Sequence, residues 1–335
     1  MIAYYVHHQG SGHVHRASSI AAQARTPVVG LSGRPRPAGW TGDWVDLPDD
    51  SDGVDASSRD VTAGGTLHWV PRRHAGLAER MRRVSETVAR ASLVVVDVSV
   101  EVALLARLHG VPVVVVAQPG ERTDRPHRTA YDLAERILAP WPVRPAGGWP
   151  DGWTAKTVHL GALSRFDAHP APAAGDPCRV LVLWGRGGID VGPDRIAAAA
   201  AATPGHRWVV AGPHPGPGAW PANLTWLGWV DDVWAELSAA GVVVTHAGQN
   251  ALAEVAAARR PAVVVPQRRP FGEQDATAAA LARAGIAEPT GSWPEPAAWP
   301  ALLARAAQRG GTGWDAWSTG TGAARAAALL DGLAA

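Results

Sequence analysis

Close to the start of the chain, ionisable side chains sit on a loop built to bend: His7, His8, Gln9, Gly10, Ser11, Gly12 and His13 follow the apolar run Ile2 to Val6. Glycines let such a loop turn tightly against a ligand, and the helix predicted over Val14 to Arg25 would aim its positive end at an anion. An imidazole at that helix start suits general-base work near neutral pH, so His13 is the first catalytic candidate. It could equally cap the helix. His7, His8 and His15 read as lining the loop. The spacing Gly-x-Gly-x-x-His lacks the third glycine of a dinucleotide fingerprint, and no acidic residue ends the second strand to hold a ribose. Asp97 ends the apolar run Leu93 to Val96. A carboxylate there can orient an imidazole and stabilise its cation, or it can cap the following helix.

The second half carries a complementary set. Gly185, Arg186, Gly187 and Gly188 follow the apolar run Arg179 to Trp184, and Gly187 and Gly188 can offer backbone amides to phosphate or make a plain turn. Thr245 to Glu254 ends one strand and opens a helix. His246, Gly248 and Asn250 place donors at that helix's positive end, as a pyrophosphate requires, and Glu254 lies one turn on, where it could accept from ribose hydroxyls. Glu273 and Gln274 form a second polar pair at the strand-to-helix turn that follows Pro266.

Elements must bring these residues together. Continuous Val-rich runs at Leu93 to Val98, Val111 to Ala117 and Gly241 to Thr245 alternate with helical patterns, which predicts parallel sheets covered on both faces. Helices are expected at Leu77 to Ala91, Glu101 to His109 and Arg128 to Leu138 in the first half. The fold class is α/β, with two doubly wound units expected to face each other across a cleft. The expected division is residues 1–167 as the first domain, 168–177 as a Pro/Ala linker, 178–312 as the second domain, and 313–335 as a helical segment returning to the first. A chain of 335 residues favours two cores over one.

Composition narrows the function. Basic and acidic residues number 31 and 30, so the basic footprint of a nucleic-acid binder is missing and no nucleic-acid partner is expected. Lys156 is the only lysine, so positive charge is almost wholly arginine and single arginines carry little functional weight. Cys178 is the only cysteine, which excludes an internal disulfide and a thiolate zinc site. The chain lacks a signal-peptide pattern at its start and any run of roughly 18 apolar residues, which predicts a cytoplasmic protein. Arg72, Arg73, Arg80, Arg82, Arg83 and Arg90 could attract anionic lipid and add a peripheral membrane contact, or form an ordinary solvated helix face. Asp50-Ser51-Asp52 has the Asp-x-Asp form of a metal site but lies in a Pro/Asp/Gly-rich loop rather than at a strand end, so no metal and no cofactor is expected.

The order of the motifs resembles the GT-B glycosyltransferases. Gly10-Ser11-Gly12-His13, the run Leu227-Gly228-Trp229-Val230-Asp231-Asp232, and Thr245-His246-x-Gly248-x-Asn250 followed by Glu254, Pro261, Pro266, Glu273 and Gln274 carry the likeness. The stretch Gly228 to Gln274 is similar to the donor signature of UDP-sugar transferases, and the Gly-Trp-Val-Asp-Asp spacing is nearer to the peptidoglycan GlcNAc transferase. The resemblance implies that His246 and Asn250 touch donor phosphates, Glu254 the ribose, Glu273 and Gln274 the sugar, and the Val230 main chain the base, with Gly187 and Gly188 flanking the pyrophosphate. It further implies His13 as base, with Asp97 as its partner and Gly10, Ser11 and Gly12 near the reacting centre. Ala251 departs from the serine of plant-type enzymes, and Trp229 stands one residue closer to His246 than their stacking tryptophan. The implied activity is inverting, metal-independent transfer from a nucleoside-diphosphate sugar, UDP-linked or dTDP-linked, to an acceptor hydroxyl on a glycolipid, secondary metabolite or saccharide. A nucleotide-sugar hydrolase of the same fold and a non-catalytic nucleotide-sugar-binding subunit are the alternatives.

Overall fold

The computed structural model describes every residue except 11, 57–59, 143–148 and 186–187. It falls into two compact units: Met1–Gln118, Arg122–Leu160 and Thr321–Ala335 form the first, and Pro119–Glu121 with Gly161–Gly320 the second. Both are Rossmann-like.

In the first unit the chain runs β1 (Ile2–Val6), α1 (Gly12–Ala21), β2 (Val28–Ser32), β3 (Trp44–Asp46), α2 (Ala75–Val88), β4 (Leu93–Asp97), α3 (Val100–Leu108), β5 (Val113–Val116), α4 (Arg125–Leu133), β6 (Arg136–Ala139), α5 (Asp151–Lys156) and β7 (Thr157–His159). The seven strands form one parallel sheet in the order β3-β2-β1-β4-β5-β6-β7. Every residue of β1, β2, β4 and β5 is buried, which is what unbroken β-branched runs in a doubly covered sheet require. Val84 and Val88 of α2 and Val102, Ala103 and Ala106 of α3 pack into the same core.

The helix expected over Arg128 to Leu138 is two elements. It ends at Leu133, because Arg136 to Leu138 pair with Val114 to Val116 and the sheet claims those backbone groups. Tertiary pairing here overrides local helical pattern.

The second unit runs β8 (Asp176–Leu183), α6 (Pro193–Ala201), β9 (Arg207–Ala211), β10 (Leu224–Gly228), α7 (Val233–Ala239), β11 (Ala240–Thr245), α8 (Gln249–Ala257), β12 (Ala262–Val264), α9 (Glu273–Ala284), β13 (Glu288–Pro289) and α10 (Trp299–Arg309). Its six parallel strands are ordered β10-β9-β8-β11-β12-β13. A last helix, α11 (Gly322–Ala334), belongs to the first unit, where the Asp331 carboxylate accepts from the amides of Arg25 and Thr26 at 3.0 and 2.8 Å. No helix among the described residues is long and apolar enough to cross a membrane.

Each sheet reverses its winding once, between β1 and β4 in the first unit and between β8 and β11 in the second. Loops leaving the carboxyl ends of such strand pairs diverge to opposite faces and leave a crevice for ligand. Asp97 ends β4, His13 lies in the first turn of α1 beyond the β1 loop, and Gly185 and His246 lie in the loops after β8 and β11.

Candidate functional site

Val6 and Asp97 are register partners at the ends of β1 and β4, so the loop after β1 and the Asp97 carboxylate are neighbours by topology. Gly10 turns the loop through φ 74°, a left-handed conformation that favours glycine, and α1 begins at Gly12. Ser11 lies outside the described residues. His13 Nδ1 stands 2.9 Å from Asp97 Oδ1. Asp97 is fully buried and does not cap α3, since Ser99 takes that place and accepts from the Val102 amide. Between them Val98 has φ 64°, costly for a β-branched residue and consistent with a turn held in place to aim Asp97.

A third member of this group is Arg16. Its Nε donates to Asp97 Oδ2 at 3.1 Å, and Nη2 reaches Oδ1 at 2.7 Å and Oδ2 at 2.9 Å. Burial would raise the Asp97 carboxyl, but Arg16 and His13 outweigh it and hold Asp97 below the ordinary carboxylate range. An ionised Asp97 favours the His13 proton on Nδ1, which leaves Nε2 as the basic nitrogen. His7 stacks on His8 with ring centroids 4.9 Å apart and lies 5.4 Å from His13. Burial, with the neighbouring His13 and His8, pulls His7 down to about 3, so a neutral ring sits against His13.

In the second unit Leu183 and Thr245 are register partners, and Thr245 Oγ1 donates to the Leu183 carbonyl at 2.8 Å. The His246 turn is tightly built. Gly248 N donates to His246 Nδ1 at 3.0 Å, and a Cβ on Gly248 would lie 2.3 Å from His246 Cε1, so a larger residue there would have to displace the imidazole. Gln274 Oε1 accepts from the amides of Ala247 at 3.1 Å and Gln267 at 2.9 Å, and its Nε2 lies 3.3 Å from His246 Nδ1. Both lone pairs of that amide oxygen are thus committed to the protein, tying the His246 turn to the segment after β12. Burial lowers His246 to about 4 and keeps the ring neutral.

Asn250 lies in the first turn of α8, and Glu254 one turn on accepts from Arg165 Nε at 2.9 Å. Burial pushes the Glu254 carboxyl up and Arg165 opposes it. Glu273 opens α9 behind Gly272, whose φ is 61°. Val230 packs partly buried against the core, while Trp229 is half exposed. Gly188 has φ 91°, and Gly187 lies outside the described residues.

Residues 219–289, which hold the His246 turn, Glu254, Glu273 and Gln274, match the family described as Glycosyltransferase family 28 C-terminal domain. The whole chain is similar to solved structures. A glycotransferase of kitacinnamycin is 19% identical with TM-score 0.69, covering 100% of this chain and 99% of that one. CalG4, the calicheamicin glycosyltransferase, is 19% identical with TM-score 0.69, covering 99% and 98%. MurG of Acinetobacter baumannii is 18% identical with TM-score 0.60, covering 99% and 98%. No curated protein sequence matches the chain. The structural likenesses establish the GT-B fold, and the family match places the glycosyltransferase chemistry on it. The chain has the GT-B fold and carries a glycosyltransferase domain over residues 219–289.

Two features of this glycosyltransferase bear on the other sequence expectations. Asp50 is buried, with Oδ2 3.2 Å from Arg80 Nε, so the carboxylate of the Asp-x-Asp motif is occupied by an internal cation. On α2, Arg82 pairs with Glu79 and Glu86, Arg83 with Glu79, and Arg80 points inward, so much of the arginine charge is balanced within the helix and its supports.

The buried imidazoles set an expected pH response for the transferase. Folding lowers His7 to about 3 and His127 and His246 to about 4, all from 6.5, so between those limits the unfolded chain binds more protons than the folded one. Stability conferred by these neutral rings is complete above about 6.5 and lost as pH falls toward 4. Melting temperature measured across that window should fall steadily with acidification; a flat profile would contradict the buried, neutral assignment.

Proposed function

We propose that this transferase moves a sugar from a nucleoside-diphosphate donor to an acceptor hydroxyl with inversion and without a metal ion. The observation that carries the proposal is the His13–Asp97 pair, 2.9 Å apart, with Asp97 kept ionised by Arg16. His13 Nε2 takes the hydroxyl proton while the acceptor oxygen bonds to the anomeric carbon; the bond from that carbon to the diphosphate oxygen breaks, and its electron pair leaves with the nucleotide. The backbone amides at the start of α8 and the loop after β8 supply dipoles for the departing charge, in place of a cation. Glu254 is assigned to the ribose and Glu273 to the sugar, while Gln274, with its amide oxygen already committed, holds the His246 turn in shape. The Val230 main chain is assigned to the base.

Both nucleotide classes are precedented among similar structures: one is a Phytolacca americana enzyme complexed with UDP-2-fluoroglucose, another the spinosyn rhamnosyltransferase complexed with thymidine diphosphate. UDP is our first assignment and dTDP the second.

The deciding experiment is transfer from UDP- and dTDP-sugars to a panel of hydroxyl acceptors, with product anomeric configuration read by NMR. Retained configuration would refute the His13 mechanism, and sugar release to water at the same rate with and without acceptor would make the protein a hydrolase. Nucleotide binding followed by thermal shift should be unchanged by EDTA; a shift that EDTA abolishes would refute metal-independent donor binding. Glu254→Ala should weaken nucleotide binding by about 1–3 kcal/mol in calorimetry, the usual cost of losing a charged hydrogen-bond partner. Unaltered affinity would remove Glu254 from the donor contacts.

A further inference from the structure

The first unit brings together a second cluster of ionisable side chains that the transfer chemistry does not use. His127 Nδ1 lies 2.6 Å from Asp124 Oδ2, and His68 Nε2 lies 3.6 Å from Asp124 Oδ1. The two imidazoles meet edge to face with centroids 4.5 Å apart. One ligand atom from each of the three residues can be chosen so that all lie within 4.8 Å of one another, the only such group of three or more among the described residues. Tetrahedral zinc with bonds of about 2.0–2.2 Å needs ligand atoms roughly 3.3 Å apart, a spacing that these separations bracket.

Two further observations distinguish the cluster from a helix cap with a stray histidine. Asp124 does cap α4, accepting from the His127 amide at 3.1 Å, but His68 arrives from a remote loop and is held there by Glu101, which accepts from the amides of His68 and Trp69 at 2.7 and 3.0 Å. His68 and His127 also line a small cavity together with Val98, Ser99, Gln118 and Tyr131. Gln118, more than nine-tenths buried, has an Nε2 with no hydrogen-bond partner among the described residues and lies in the wall of that cavity. A donor so placed suits a water or hydroxide held on the open position of a three-ligand metal site.

The geometry points to a divalent transition-metal site of the zinc class, formed by His68, Asp124 and His127, with its open position toward the cavity and Gln118. It shares no residue with the assigned donor contacts, so it can be true whether or not donor binding is metal-independent. Arg122, whose Nη1 lies 3.4 Å from His127 Nε2, is the opposing charge and must yield some of that contact when metal binds.

The test is titration of the metal-stripped full chain with Zn2+ by calorimetry and with Co2+ by visible absorption, where tetrahedral coordination gives a strong band. One ion per chain is expected. His68→Ala and Asp124→Asn should each weaken binding at least tenfold or so, since even loss of a supporting hydrogen bond to a metal ligand costs about that much. Asparagine caps helices as well as aspartate, so Asp124→Asn removes the charge and keeps α4, and circular dichroism checks its fold. His7→Ala with His8→Ala serves as the control for the other histidine cluster. No binding overturns the assignment, as does binding that survives both His68→Ala and Asp124→Asn or is lost in the His7/His8 control instead.

Discussion

His13→Ala is expected to lower kcat about a hundredfold or more while leaving nucleotide affinity nearly unchanged, the signature of a group that acts on a proton in the transition state. The residues assigned to the nucleotide all belong to the second unit, whereas His13 sits at the start of α1 in the first. Steady-state kinetics with an identified acceptor, beside calorimetry with the free nucleotide, separates the two effects. Asp97→Asn should act in the same direction, because an amide at that position no longer selects the Nδ1 tautomer. The His13→Ala, Asp97→Asn double variant should lose far less than the two single losses combined, since residues acting as one unit are not additive. A His13→Ala enzyme that keeps most of its rate would make the pair structural and place the base elsewhere.

How much of this was readable in the residues depends on how local the signal is. Strand, glycine loop and helix at Ile2 to Arg25 and at Gly241 to Ala258 are patterns of adjacent residues, and both recur in the fold, although the first helix spans only Gly12–Ala21. The His13–Asp97 pair is legible one step further, because in a parallel sheet the ends of neighbouring strands meet. Arg16 was not legible. Arginine is so abundant in this chain that a single one carries little weight, and only the His-x-x-Arg spacing at a helix start, which puts both side chains on one face, hinted at it. The Glu254–Arg165 bond spans 89 residues and belongs to no motif. Gln274 reads as a ligand contact by position in the motif, yet its side-chain oxygen serves two backbone amides, a choice made by loop geometry. His68, Asp124 and His127 come from segments that composition marks only as polar loop and helix start.

The largest expected effect on stability also centres on Asp97. Arg16→Met should destabilise the first unit by about 3–5 kcal/mol, because a fully buried carboxylate then keeps its charge with only His13 beside it. Taking away both charges with Arg16→Met and Asp97→Leu should recover part of that loss, since an apolar pair of similar volume removes the uncompensated ion rather than stranding it. The two units have separate cores, so a single unfolding energy for the whole chain is not well defined. Hydrogen exchange followed by mass spectrometry resolves them: amides of β1 and β4 should lose protection in Arg16→Met, while those of β8 and β11 should not. The same variant should bind free nucleotide as the native chain does, because its defect lies in the unit that holds the base. Equal loss of protection in both sheets would mean that Arg16 supports the whole molecule, and unchanged protection in β1 and β4 would mean that Asp97 sheds its charge when the guanidinium is gone.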